Sequence, residues 1–328
     1  MEGSFPAAMK RLILLLSLTG CAIAQDALDG QWSLDLPNHE AGWFSVEKER
    51  VEMMWAVGSA RPVEKFTRKD GVLSFEKAIK RPLAPKEEPA VRFLVTLTAK
   101  GNVLEGETHP ADAKALSHSV RFTGKKQPPM PARPDLARIA FGEPVSLFNG
   151  RDLTGWKTSR TDKKNGWSVR EDLLCNDTPK TDFGAYGEYA NLRTEAEFED
   201  FQLHIEYRLP AGTGGNSGIY LRGLYEVQVT HKDSKMQGIN GPGAVFGRVE
   251  PTHNAGHAAG EWDVMDLTLV DRHVTVVLNS EKVIDNAPVP GCTGGALKSD
   301  VTQPGPIYLQ GDHTSVQYRN ITLRPRLR

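Results

Sequence analysis

Apolar and polar residues alternate with a period of two in several short runs of this chain. In 201–208 (FQLHIEYR), Phe201, Leu203, Ile205 and Tyr207 fall on one face and polar residues on the other. Met265, Leu267 and Leu269 repeat the pattern. Residues 274–278 and 282–284, separated by Asn279-Ser280, read as a hairpin. Successive side chains of a strand point to opposite sheet faces, so such runs predict half-buried strands. No long run has the 3.6-residue period of a helix, so few helices are expected. Residues 28–124 carry a second set of short strand-like runs, at 43–46, 51–55, 72–75, 91–97 and 103–107, punctuated by Asp70-Gly71 and by 100–102 (KGN). They predict a small β-rich domain, a barrel or curved sheet without a catalytic constellation. His109 and His118 read there as surface residues. The stretch 125–134 (KKQPPMPARP) reads as an extended, semi-rigid connector within a 125–141 linker. Residues 142–328 then predict a two-sheet sandwich or jelly roll.

The most informative run is 214–229 (GGNSGIYLRGLYEVQV), two short strands joined by a tight turn. Ile219 and Leu221 point to a core, and Asn216, Tyr220 and Arg222 point away. A two-residue turn would mix the faces beyond it. A three-residue turn at 223–225 places Arg222 opposite Glu226 and Tyr220 opposite Gln228, keeps Ile219 and Leu221 inside, and is the preferred register. It predicts a polar cluster of Tyr220, Arg222, Glu226 and Gln228. The same residues would also make an ordinary Arg–Glu cross-strand pair on a solvated face.

With 328 residues, 40 of them basic and 41 acidic, the chain is long enough for two domains, and its charge gives no reason to expect a nucleic acid or an anionic membrane as partner. The 31 glycines and 21 prolines suit an all-β protein rich in turns. Residues 1–24 read as a secretory signal peptide, with Lys10 and Arg11 before an apolar stretch from Leu12 to Leu18. Cleavage is open between the A-x-A site at 22–24 and a lipobox-like 18–21 (LTGC), which would lipidate Cys21. Either route sends the protein to the periplasm, the exterior or the cell envelope, and only the lipid anchor would bring membrane contact. Cys175 and Cys292 either pair or stay as buried thiols.

Candidate chemistry is sparse. Asp312 and His313 follow a strand whose Ile307 and Leu309 face the core while Tyr308 and Gln310 face away. They sit at its end, where loops carry function, and imidazole is an acid or base suited to neutral pH. Trp262 and Tyr220 could stack on a sugar ring, and Asn216, Gln228 and Gln310 could bond its hydroxyls. Core packing is the competing role for Trp262, as for Trp156 and Trp167. His253, His257 and Glu261 have four-residue spacing, but the glycines around them argue for a loop and against a zinc site. No cofactor is implied, and a structural calcium would be unmarked by any motif.

Several separate blocks then occur in order: 147–156 (LFNGRDLTGW), 166–169 (GWSV), 198–203 (FEDFQL), the 214–229 run, 260–262 (GEW), 304–313 (PGPIYLQGDH) and 318–321 (YRNI). Over roughly residues 142–326 this series resembles the 3-keto-disaccharide hydrolase family (DUF1080). The resemblance implies a concanavalin-like jelly-roll sandwich, bacterial secretion and cleavage of glycosides already oxidised to a ketone at C3. Many family members have Asn where this chain has Asp263. The implied reaction needs a base for the C2 proton, an electrophile for the enolate oxygen and an acid for the leaving group. Glu226, Arg222 and His313 are the candidates for chemistry, with Asn216, Tyr220, Gln228, Trp262 and Gln310 for carbohydrate binding. An Arg222 beside Glu226 would hold that carboxyl low and weaken it as a base. The competing functions are a non-catalytic carbohydrate-binding module and a cell-surface interaction protein whose first domain binds the partner.

Overall fold

The computed structural model describes residues 27–79, 91–111, 119–178, 188–212 and 215–327. The leader at 1–24 with its lipobox, His118 and Gly214 lie outside them. Among the described residues there is no α-helix, only three short 3-10 turns.

Nine strands form the first sheet: β1 Gly30–Leu36, β2 Glu40–Glu47, β3 Arg50–Trp55, β4 Arg61–Pro62, β5 Phe66–Lys69, β6 Val72–Ile79, β7 Val91–Lys100, β8 Val103–Pro110 and β9 Val120–Lys126. Their order is β4-β3-β2-β1-β9-β8-β7-β6-β5, antiparallel at each pairing. Trp32, Leu34, Phe44, Leu73, Val95 and Leu97 form its own apolar interior.

The remaining strands are β10 Val145–Ser146, β11 Trp156–Thr158, β12 Trp167–Arg170, β13 Leu173–Asn176, β14 Leu192–Thr194, β15 Phe201–Arg208, β16 Ser217–Leu221, β17 Tyr225–Val229, β18 Trp262–Val270, β19 His273–Leu278, β20 Glu281–Pro288, β21 Tyr308–Leu309 and β22 Val316–Pro325. They build the concanavalin-like jelly-roll sandwich. One sheet runs β12-β13-β22-β15-β18-β19-β20, with β10 added to β22, and the other runs β11-β14-β21-β16-β17. The alternation in 201–208 works as expected: Phe201, Leu203, Ile205 and Tyr207 are buried, and the residues between them are half-exposed. Met265, Leu267 and Leu269 join them from β18, and Ile219, Leu221, Val227 and Leu309 meet them from the other sheet. The Asn279-Ser280 turn between β19 and β20 has φ of 52° and 68°, the left-handed region of a tight hairpin.

The first sheet is joined to the sandwich by side chains. β2 is buried on both faces: Phe44 and Val46 face its own interior, while Ala41 and Trp43 belong to the sandwich core. The Arg248 guanidinium lies 4.1 Å from the Trp43 ring centroid. The proline-rich stretch expected to act as a spacer is held along the sandwich instead. Arg272 donates to Gln127 Oε1, the Pro128 carbonyl and the Pro290 carbonyl (3.1, 3.0 and 2.7 Å), and Asn286 donates to the Pro134 carbonyl at 2.7 Å.

Candidate active site

The β16–β17 hairpin carries the polar cluster, in a register two residues from the one expected. Tyr220 lies opposite Glu226 and Gly218 opposite Gln228. The turn is 222–224, with Arg222 and Gly223 at φ of 57° and 62° and the Leu224 N–H donating to the Leu221 carbonyl at 3.0 Å. A two-residue slip preserves the faces. Ile219, Leu221, Val227 and Val229 therefore still pack into the core, and Tyr220, Glu226 and Gln228 still share the other face. That face is not open: both strands are buried throughout. A strap at 291–300 crosses it, and 243–246 runs along the free edge of β17, where the Gln228 N–H donates to the Ala244 carbonyl at 2.9 Å and the Phe246 N–H to the Glu226 carbonyl at 3.0 Å.

Glu226 is the centre of the cluster and only 3% exposed. Its carboxyl lies over Gly218, where an added Cβ would stand 2.3 Å from Oε1. Burial away from water raises the carboxyl to about 8, the Tyr220 hydroxyl partly offsets this by hydrogen bonding, and the negative charge of Asp312 raises it further. The Tyr220 hydroxyl donates to the Gly294 carbonyl at 2.8 Å. One O–H cannot serve two acceptors at full strength. Protonated Glu226 can instead donate to the phenol oxygen, and ionised Glu226 competes with Gly294 for the phenol proton. Tyr220 packs on Tyr308 with ring centroids 4.8 Å apart, and the Tyr308 hydroxyl accepts from Asn191 Nδ2 at 2.5 Å.

Two buried amides flank Gly218. Gln228 lies opposite it on β17, and the Gln310 N–H donates to the Gly218 carbonyl at 2.9 Å. Gln228 Nε2 donates to Asn216 Oδ1 at 2.8 Å, and Thr314 fixes the Asn216 backbone through both its N–H and its carbonyl, at 2.9 Å each. Gln228 Oε1 and Gln310 Oε1 are buried with no hydrogen-bond partner among the described residues. Buried acceptors of that kind are costly unless a donor arrives. Asp312 and His313 form an adjacent pair, Oδ1 to Nδ1 2.6 Å, in which each side chain is largely buried.

Two expected members are elsewhere. Arg222 is a turn residue, and its guanidinium donates to the Val301 and Gln303 carbonyls at 2.9 and 2.5 Å. It does not pair with Glu226, so the carboxyl is raised where a neighbouring guanidinium would have lowered it. Trp262 opens β18 in the opposite sheet, its ring centroid 4.7 and 4.0 Å from the guanidinium groups of Arg208 and Arg319. Cations therefore meet the ring that was to meet a sugar. Trp156 and Trp167 are core residues whose indole N–H groups donate to the Leu147 and Ala190 carbonyls. Asp263 is buried, accepts from Asn279 Nδ2 and the His257 N–H at 2.6 and 2.8 Å, and is raised by burial.

His253 bonds Glu281 and His257 bonds the Trp262 carbonyl. No group of three or more His, Cys, Asp or Glu residues that could hold a metal occurs among the described residues. Cys175 and Cys292 are buried free thiols, and burial pushes Cys292 up to about 12. A cleft of about 880 Å³ lies on the first sheet around Phe66, Lys77 and Arg92, and it includes none of the candidate residues.

Sequence reasoning missed Gly218, Thr293 and Gly294. Gly218 had a signal, since alternation places a residue without a side chain on the polar face. Thr293 and Gly294 reach the site from 67 and 74 residues away, and nothing local marks them.

Residues 143–324 match a family described as a 3-keto-alpha-glucoside-1,2-lyase-like domain. No curated protein matches the chain. Among solved structures, one from Parabacteroides distasonis ATCC 8503, provisionally assigned as a glycosyl hydrolase, is 28% identical, covers 60% of this chain and 92% of its own, and has a TM-score of 0.45. A second with the same provisional assignment, from the same organism, is 20% identical over 56% of this chain and 93% of its own, with a TM-score of 0.44. A carbohydrate binding module, CBM66 from Bacillus subtilis, is 14% identical over 52% of this chain and 96% of its own, with a TM-score of 0.35.

Proposed function

Because this chain belongs to the 3-keto-alpha-glucoside-1,2-lyase-like family, we propose that it cleaves glycosides whose sugar carries a ketone at C3. The observation that carries this reading is the buried Glu226 carboxyl, raised to about 8 and set over Gly218, the residue that Gln228 and Gln310 flank with side-chain oxygens that lack donors.

A ketone at C3 acidifies the C2–H bond. Glu226 takes that proton, and the electron pair passes into the C2–C3 bond and onto the ketone oxygen as an enolate. The enolate collapses to form a C1–C2 double bond, and the C1–O bond breaks with its electrons leaving on the aglycone oxygen. His313, oriented by Asp312, protonates that oxygen. Water then adds across the double bond, hydroxyl to C1 and hydrogen to C2, so the net reaction is hydrolysis. This route needs one base, unlike ordinary glycoside hydrolysis with its two carboxylates and oxocarbenium-like state. A base near 8 is stronger than an ordinary carboxylate and still partly ionised at neutral pH. The Gln310 side-chain amide is the donor assigned to the enolate oxygen, the role that Arg222 was expected to fill, since the Tyr220 hydroxyl proton is held by the Gly294 carbonyl. Gln228 Oε1 and Gln310 Oε1 accept from sugar hydroxyls, and Asn216 holds the Gln228 amide in place.

The N-terminal leader supports export, which the mass of the mature N-terminus tests: cleavage after Gly20 with a lipid on Cys21, or after Ala24. The function is tested by incubating the protein with a 3-keto-glucoside beside its unoxidised parent. Aglycone release from the ketone alone, reduced about 100-fold or more in Glu226→Gln, is expected for loss of a general base. Sugar binding without turnover of any 3-keto-glycoside would make it a binding module.

A further inference from the structure

The strap at 291–300 lies between the candidate active site and the first sheet. It belongs to no strand, since β20 ends at Pro288 and β21 begins at Tyr308, so no ladder of its own fixes it. On its inner side, Thr293 Oγ1 accepts the Glu226 N–H at 2.9 Å, the Thr293 N–H donates to the Leu224 carbonyl at 2.9 Å, and the Gly294 carbonyl takes the Tyr220 hydroxyl proton. On its outer side, the Gly295 N–H donates to the Ala56 carbonyl at 2.8 Å, and the Cys292 thiol lies 3.5 Å from the Gly42 carbonyl. Ser33 Oγ donates to the Ser299 carbonyl at 2.6 Å, Ser299 Oγ to Asp35 Oδ1 at 3.1 Å, and Lys125 pairs with Asp300 at 3.1 Å.

The glycines show how tight this layer is. A Cβ would stand 2.0 Å from the Trp43 ring at Gly291, 2.4 Å from the Gly58 carbonyl oxygen at Gly294, and 2.7 Å from the Tyr220 hydroxyl at Gly295. Successive glycines thus meet the first sheet on one side and the site on the other.

We propose that the first sheet is part of the active-site framework, with Ser33 and Asp35 as positioning residues that hold the strap on Tyr220 and Glu226. The inference rests on the reading of Glu226 as the base. The groups that face Glu226 are Tyr220 on β16, Tyr308 on β21 and Asp312 in the loop after β21, with Tyr318 on β22 interacting with it electrostatically from the core side, and the strap adds the uncharged Thr293, Gly294 and Gly295. The strap acts on the carboxyl by excluding water and by fixing Tyr220. Loosening it hydrates Glu226, lowers its protonation midpoint and misplaces it against the substrate.

The test uses the full chain as wild type, as the Ser33→Ala/Asp35→Ala double variant and as Asp35→Asn, which keeps an acceptor for Ser299. The Glu226 carboxyl is titrated directly by infrared difference spectroscopy against Glu226→Gln, and kcat and KM are measured on a 3-keto-glucoside. In the double variant the midpoint is expected to fall by about one pH unit and kcat by about tenfold, with KM within about twofold. Asp35→Asn is expected to match wild type. If the double variant does not unfold cooperatively, Asp35→Ala alone is expected to move both readouts in the same direction. An unchanged midpoint in a folded variant overturns the inference. A wild type that ignores the ketone overturns the proposed reaction instead, and the carboxyl titration still decides the role of the strap.

Discussion

Gly218 leaves the space that the Glu226 carboxyl occupies, because a Cβ there would lie 2.3 Å from Oε1 and 2.8 Å from Cγ. Gly218 has no positive φ, so its backbone would accept alanine, and the conflict is between side chains alone. Gly218→Ala is expected to cost about 1–3 kcal/mol through overpacking. It should also lower kcat about 100-fold by moving the carboxyl on the order of 1 Å. Steady-state kinetics beside thermal unfolding separates the two effects. A fully active variant would remove the carboxyl from its assigned place.

The raised carboxyl sets the pH dependence of the reaction. A base that titrates at about 8 must lose its proton first, so kcat/KM on a 3-keto-glycoside is expected to climb about tenfold per pH unit and level off above about pH 8. A limb centred near the ordinary carboxylate value would mean that Glu226 is hydrated or is not the base.

The same carboxyl predicts a stability change of definite sign. Its folded value of about 8 lies above its ordinary 4.5, so its contribution is fully present below pH 4.5 and is lost as pH rises towards 8. At about 1.4 kcal/mol for each pH unit between the two values, the loss is on the order of 5 kcal/mol. Glu226→Gln removes it. Urea unfolding should find the two proteins similar near pH 4 and the variant more stable near pH 9. A wild type that is the more stable of the two at pH 9 would mean that the ionised carboxyl has a partner.

Arg222 is expected to matter for folding and little for chemistry. Its guanidinium is buried and joins the β16–β17 turn to the Val301 and Gln303 carbonyls at the end of the strap. Arg222→Ala leaves those carbonyls without a charged donor and should cost about 2–4 kcal/mol. The kcat of the folded fraction should stay within about tenfold of wild type. A larger loss of kcat without a loss of stability would return Arg222 to the enolate.

The sequence carried the sandwich and the face of the hairpin, because both depend on a two-residue period. That period places Phe201 and Ile205 inside and puts Tyr220, Glu226 and Gln228 together even though the register is two residues off. It could not place Arg222, whose side chain leaves the hairpin at a turn residue with φ of 57° and finds carbonyls 79 and 81 residues away. Nor could it place Trp262, since assigning a strand to one sheet or the other depends on pairings across the whole fold. The strap was invisible for the same reason. Thr293, Gly294 and Gly295 acquire their meaning only between Trp43, Ala56 and Gly58 on one side and Tyr220 and Glu226 on the other.

The central claim is that Glu226 removes the C2 proton before the C1–O bond breaks. The direct measurement is cleavage of a 3-keto-glucoside in deuterium oxide, with the hydrogen at C2 of the released sugar followed by NMR at early times. The account predicts deuterium at C2 in step with aglycone release, and loss of both in Glu226→Gln. Release with the original C2 hydrogen retained would contradict it and point to direct displacement at C1.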